Sequence, residues 1–215
     1  LSASVMLIGF GRFGQIVSQP LLARSCSITI IETNTDGIRD ARDFGFKVHY
    51  GDGTRLDILH AAGAAEARLI VITVNDREAS LKIAELVKAE FPLVPVIARA
   101  FDRGHAIELV RAGVDFQIRE TLESALALGA KGLSLLDVDD EEVARVVDSV
   151  RRRDAERFAI ELTDGIHAAR DLIHGNAPVK GQAGSQKASP AQTARPRPRA
   201  GVGGPTRPPP AGAGG

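Results

Sequence analysis

Val5 to Gly14, VMLIGFGRFG, is the stretch that most restricts what this chain can become. Val5-Met6-Leu7-Ile8 is an unbroken apolar run, the pattern of a strand buried on both faces of a parallel sheet. It ends in Gly9-Phe10-Gly11-Arg12-Phe13-Gly14, a complete G-x-G-x-x-G. In the dinucleotide-binding form of this turn, the first glycine permits the tight exit from the strand. The second admits a pyrophosphate to the backbone, and the third lets the helix pack closely on the sheet. The following helix turns unpaired N–H groups and the positive end of its dipole toward the anion.

A glycine motif alone is weak, so its surroundings decide. Ser27 to Ile31 forms a second strand one helix length later and ends at Glu32, placed where a carboxylate reaches a ribose 2′-hydroxyl. Glu32 would repel a 2′-phosphate, which selects against NADP. Lys47 to Tyr50 is a third strand. Its exit, Gly51-Asp52-Gly53-Thr54, faces the same crevice or is a plain turn with Asp52 or Thr54 capping a short helix over 55–62. Leu69 to Val74 reads as the central strand and ends at Asn75-Asp76, with Asp76 also a candidate cap for a helix over 77–91. Pro95 to Ala98 is a fifth strand with Arg99 at its carboxyl end, and Val114 to Ile118 a weak sixth. The first helix is expected over 15–24, bent or loosened by Pro20. This alternation predicts an α/β fold, a Rossmann-like doubly wound parallel sheet of about six strands.

After Arg119 the pattern turns helical. Glu120 to Leu136 and Glu141 to Arg153 are amphipathic, separated by an acidic break at 137–140, and residues 158–173 extend the second. Their apolar faces are wide enough to cover a sheet edge or to join a partner subunit. From Gly175 onward eight of the 11 prolines accumulate among Gly, Ala and Arg, the composition of a disordered tail. The expected divisions are a nucleotide-binding domain over 1–135, a helical extension for dimer or partner contact over 136–175, and a tail over 176–215. The tail carries six basic residues and no acids, leaving 21 basic against 27 acidic residues in 1–175, a net of −6. That charge offers no nucleic-acid footprint on the body. The single Cys26 excludes an internal disulfide, and no run of apolar residues is long enough to span a membrane. The first strand begins abruptly behind Leu1, as in the C-terminal piece of a longer protein.

With GFGRFGQ at 9–15, the GDGTR strand exit within 44–76, the IARAFD run within 86–115 and RETLESAL at 119–126, the chain resembles the regulator-of-potassium-conductance (RCK, or TrkA-N) domains. It is most similar to the cytosolic C-terminal part of glutathione-regulated potassium-efflux antiporters of the Kef type. The resemblance implies NAD(H) or AMP (an adenine nucleotide) with its phosphates at Gly9, Gly11, Arg12, Phe13 and Gly14 and its ribose at Glu32. Asp52, Gly53 and Thr54 would lie at the adenosine end, with Asn75, Asp76 and Arg99 around the crevice. It also implies a homodimer, a potassium-transporter membrane domain in cis or in trans, a small flavoprotein partner, and a place at the cytoplasmic face of the plasma membrane. The corresponding effector position falls on Gln19, Arg119 and Asp154. Glutathione-sensing members carry Arg near 19 and Asn near 154, so this chain departs there by one lost cation and one gained acid. No enzyme activity is implied. The alternatives are an NAD-dependent oxidoreductase, for which no histidine sits at a strand exit, and a stand-alone peripheral subunit of a potassium-uptake system.

Overall fold

A computed structural model describes residues 4–165. Six parallel strands form one sheet: β1 (Ser4–Ile8), β2 (Ser27–Glu32), β3 (Lys47–Tyr50), β4 (Leu69–Ile72), β5 (Val96–Ala100) and β6 (Phe116–Arg119). Their spatial order is β3-β2-β1-β4-β5-β6, so the winding reverses on either side of β1. Helices α1 (Arg12–Ala23), α2 (Thr35–Asp43), α3 (Leu56–Ala62), α4 (Arg77–Glu90) and α5 (Arg103–Arg111) connect the strands. Two more follow the sheet, α6 (Leu122–Leu135) and α7 (Asp140–Asp164).

The period of two along β1 divides the core. Val5 and Leu7 join Ile28, Ile30, Ala41 and Phe46 on one face, with Val17 and Leu21 of α1 against them. Met6 and Ile8 join Leu59, Ile70, Ile72, Ile83 and Leu109 on the other. Both faces are therefore apolar, which is why the strands read as continuous apolar runs rather than alternating ones.

Several boundaries differ from the sequence expectation for identifiable reasons. β4 stops at Ile72, one pair after which the Thr73 N–H makes the last β1–β4 rung to the Ile8 carbonyl and the Thr73 hydroxyl bonds the Gly9 carbonyl of the turn. Arg99 lies within β5, paired with Ile118, rather than beyond its end. α1 begins at Arg12 and runs through Pro20, while Ile16, four residues earlier, is exposed on the solvent side, where water can meet the carbonyl that proline leaves without a donor. The helical extension is one continuous helix of 25 residues, α7, as far as Asp164. The break before it is a residue at positive φ (Asp137, 59°) followed by Asp139, whose side chain accepts the Glu141 N–H and caps α7. The remainder of the extension and the 176–215 tail lie outside the described residues.

α7 packs back on the domain beside α5, with Phe158 against the larger of the two buried clusters and Val143 buried. α6 contrasts with it. None of its residues is buried, and Leu128 and Leu135, with Leu136 just past its end, are 72–76% exposed.

Asp115 fixes where β6 enters the sheet. Its carboxylate accepts the Val96 N–H at 2.7 Å and faces Lys88 Nζ at 3.1 Å, while its own N–H donates to the Val96 carbonyl. The backbone bond, followed by that of Lys88, outweighs desolvation and holds the carboxyl below its ordinary value. A depressed folded-state pKa stabilises above the unfolded value and loses that stabilisation as pH falls through the folded one. Asp115→Asn should therefore cost about 0.5 kcal/mol at neutral pH, since half of the carboxylate is open to solvent. Denaturant unfolding should show this gap narrowing as pH drops from about 5 toward about 2.

Candidate functional site

The reversal of winding beside β1 parts the loops at the carboxyl ends of β1 and β4, and a crevice of about 530 Å³ opens there. Gly9, Gly11, Arg12, Glu32, Asp52, Gly53, Asn75 and Asp76 line it. The other anticipated residues stand behind its walls: Gly14 is buried on the inner face of α1, Thr54 supports a turn, and Phe13 and Arg99 pack against each other.

The glycine turn is held by close contacts. Gly9 has φ +94°, and a Cβ there would approach the Val74 nitrogen to 2.8 Å. A Cβ on Gly14 would fall 2.6 Å from the Gly9 carbonyl oxygen and 3.0 Å from Thr73 Oγ1. Gly11 differs: a Cβ there would meet only the Asn75 amide, at 3.7 Å, on the crevice side. Phe10 anchors the turn from below. Its ring is buried against Phe46, with centroids 5.4 Å apart, and its N–H donates to Glu32 Oε2 at 2.6 Å.

Gly11 is the N-cap of α1 and offers no side-chain cap, and the first turn contains no acid. The free N–H groups and the positive helix end thus open onto the crevice. Glu32 stands opposite at the end of β2. One of its oxygens accepts the N–H groups of Thr33 and Asn34, the other that of Phe10. The Thr33 hydroxyl also approaches Oε1, at 3.5 Å, whereas Oε2 takes the Phe10 N–H alone and keeps capacity for a hydroxyl donor.

The 51–54 segment borders the crevice and makes a local turn, but neither Asp52 nor Thr54 caps the short helix: α3 starts at Leu56, one residue later than expected, behind Arg55 and without a side-chain cap. Asp52 Oδ1 accepts the Thr54 N–H at 2.8 Å in a local turn, while Gly51, Asp52 and Gly53 line the crevice. That backbone bond is the main cause of the lowered Asp52 pKa. Asp76 likewise lines the crevice and caps α4, accepting the Ala79 N–H at 2.7 Å.

Sequence reasoning missed Gln15, Asn34, Asp36 and Asp40 in the lining. They belong to the N-terminal parts of α1 and α2 and, for Asp40, to the middle of α2, and their placement follows from helix orientation rather than from a motif. With Glu32, Asp52 and Asp76 they give a rim of five carboxylates, against which Arg12 is the one lysine or arginine among the described lining residues.

Of the effector trio, Arg119 and Asp154 meet and Gln19 stands exposed on α1. Arg119 chelates the Asp154 carboxylate with both terminal nitrogens, and Arg103 donates to the same group. Burial by itself would raise the Asp154 pKa, but Arg119 and Arg103 more than reverse this and leave it lowered. Arg103 also faces Glu161, which is 1% exposed and takes a bond from Arg157 at 2.7 Å. This cluster joins α5 and β6 to α7. Nothing in local periodicity could have revealed it.

A parallel sheet with a glycine turn at its switch point, an acid closing the second strand and an open helix N-terminus defines a Rossmann-type regulatory or enzymatic domain. The TrkA-N domain family matches residues 5–120, and the chain belongs to that family. The Kef CTD of Shewanella denitrificans, solved in AMP bound form, is 36% identical, with a TM-score of 0.69 over 74% of this chain and 98% of that one. A glutathione-regulated potassium-efflux system protein of Haemophilus influenzae is 42% identical over 165 residues, 77% of this chain. The chain spans 27% of that relative's length. The GsuK channel bound to NAD shares the fold at 21% identity, with a TM-score of 0.55 over 60% of this chain and 24% of that one. No helix among the described residues is long and apolar enough to cross a membrane.

The two inner glycines separate folding from the crevice. Gly14→Ala should destabilise the chain by about 2 kcal/mol or more through overpacking against the Gly9 carbonyl. Gly11→Ala, whose φ of −71° suits any residue, should cost less than about 1 kcal/mol. Chemical denaturation of both variants checks the contrast.

Proposed function

We propose that the chain is a non-catalytic sensing domain that holds an adenine nucleotide, AMP or NAD(H), and regulates a potassium-efflux antiporter. The observation that carries this reading is the open N-terminus of α1 at Gly11, facing a crevice whose opposite wall presents Glu32. The AMP of the Shewanella relative supports the nucleotide class. In this reading the N–H groups of Gly11, Arg12 and Phe13 receive a phosphate, and Gly9 and Gly14 give the turn its shape. Glu32 takes a ribose hydroxyl, and Asp52 and Gly53, braced by Thr54, border the adenosine. Asn75 and Asp76 form the β4 wall.

The acidic rim narrows the choice of ligand. Five carboxylates against one arginine favour a nucleotide whose negative charge is confined to the α1 terminus. AMP and NAD(H) meet that condition, whereas the 2′-phosphate of NADP would approach Glu32 and a triphosphate would extend along the rim. A non-catalytic role is supported by the histidines: His49 lies on β3, His60 pairs with Glu90, and His105 accepts the Phe101 N–H, so none of these lines the crevice. Regulation then works through a difference in nucleotide affinity between two states of the assembly.

The rest of the reading concerns that assembly. The 1–135 domain binds nucleotide, and the 136–175 extension, together with the exposed leucines of α6, contacts a second copy in a homodimer. A potassium-transporter membrane domain, in cis or in trans, and a small flavoprotein complete it at the cytoplasmic face of the membrane. Arg103 and Arg119 are both committed to Asp154, which leaves little for a tripeptide carboxylate near Gln19.

Calorimetric titration of the full chain with AMP, NAD, NADH, NADPH and ATP tests the proposal. AMP and NAD(H) should bind without turnover, with NADPH and ATP weaker by about tenfold or more. Gly11→Asp should abolish binding and leave the unfolding temperature of the free chain within about 3 °C, since Asp is a good N-cap. Failure of every adenine nucleotide to bind would refute the reading, and equal binding of NADPH would refute the role of Glu32.

A further inference from the structure

Arg99 is the most enclosed cation beside the crevice, 7% exposed, and it does not line the cavity. Its guanidinium is fixed on three sides. NH1 donates to Asn75 Oδ1 at 2.5 Å, NH2 donates to Glu120 Oε2 at 2.6 Å, and the group lies 5.7 Å from the centroid of the Phe13 ring. Glu120 is itself tied down, its N–H donating to the Ala100 carbonyl. Arginine is a donor only, so the Asn75 atom it touches has to be the amide oxygen. That settles the orientation of an exposed side chain whose two ends would otherwise interchange. The remaining donor, Nδ2, lies 3.7 Å from the position a Gly11 Cβ would take, at the open end of α1, with Oδ1 at 3.9 Å.

We propose that Arg99 is a positioning residue for the nucleotide phosphate. It never touches the ligand. It takes the oxygen of Asn75 and so presents the Asn75 Nδ2 amide as a donor beside the free N–H groups of α1. Without Arg99, Asn75 could turn its oxygen toward the phosphate and repel it. The inference rests on the nucleotide reading above and adds to it a residue outside the crevice that sets how strongly phosphate is held.

The test compares AMP with adenosine, which lacks the phosphate, on the full chain and on Arg99→Met, Asn75→Ala and the double variant. Arg99→Met should weaken AMP by about fivefold to tenfold. Asn75→Ala should weaken it at least as much, and the double variant should be no weaker than Asn75→Ala, because both changes remove one contact. Adenosine affinity should stay within about twofold throughout, which a general loosening of the fold would not allow. Multiplicative losses in the double variant, unchanged AMP binding in Arg99→Met, or adenosine falling in step with AMP would overturn the proposal. If burial makes Arg99→Met unfold, NMR of the wild-type chain decides. The Asn75 side-chain amide should shift with AMP and stay in place with adenosine; no shift with AMP would overturn the proposal. Wild-type chain that binds neither ligand would instead refute the nucleotide reading itself.

Discussion

The contact of the turn after β1 with the end of β4 governs the rest of the molecule. Thr73 gives its N–H to Ile8 and its hydroxyl to Gly9, and α1 packs so closely that Gly14 has no room for a Cβ. These bonds fix the direction in which α1 leaves the sheet. β4 ends at Ile72 beside this contact, and Val74, Asn75 and Asp76 beyond it form a wall of the crevice. A single contact thus joins both sides of the crevice, one a helix terminus and the other a loop of polar side chains.

The electrostatics of the site follow from that geometry. The N-terminus of α1 is positive and uncapped, whereas almost every side chain around it is neutral or acidic. Helix-terminus N–H groups are fixed dipoles and need no rearrangement to meet an anion. Glu32 has a second task besides facing the crevice, since its bond from the Phe10 N–H ties the glycine turn to β2. A ligand hydroxyl arriving at Glu32 would therefore meet a group coupled to the phosphate-facing turn.

The parts of this arrangement that were legible in the sequence are those fixed by local sterics. The spacing of Gly9, Gly11 and Gly14 behind four apolar residues announced the turn, and Glu32 closing the second apolar run announced the opposite wall. The doubly wound parallel class of the sheet followed from the alternation of strands and helices, whereas the strand order came from the structure. Less legible were features decided by tertiary position. β4 appeared to run through Thr73 and Val74 because both favour strands, yet it ends at Ile72 and the Thr73 hydroxyl bonds the turn. By sequence Arg99 stands past a strand end at Ala98, whereas β5 runs on to Ala100 and buries it beside Phe13. The Arg103–Arg119–Asp154–Glu161–Arg157 cluster joins residues as much as 58 positions apart, and no local pattern encodes such a meeting.

The extension shows the same division in one segment. Its helical periodicity was evident, but whether α7 lies on its own domain depends on buried charge. Two acids on α7 face three arginines, one of them on α7 itself, and removing either partner of such a pair would strand the other in a poorly solvated place. α6 is tied to α7 by the half-exposed Arg151–Glu123 pair rather than by buried charge, and it keeps its leucines exposed.

The measurement that bears most directly on the central claim is a crystal structure of the full chain grown with AMP. The account predicts the phosphate against the N–H groups of Gly11, Arg12 and Phe13, with the ribose hydroxyls on the Glu32 side. A nucleotide seated elsewhere, or one whose phosphate points away from α1 toward the acidic rim, would contradict it.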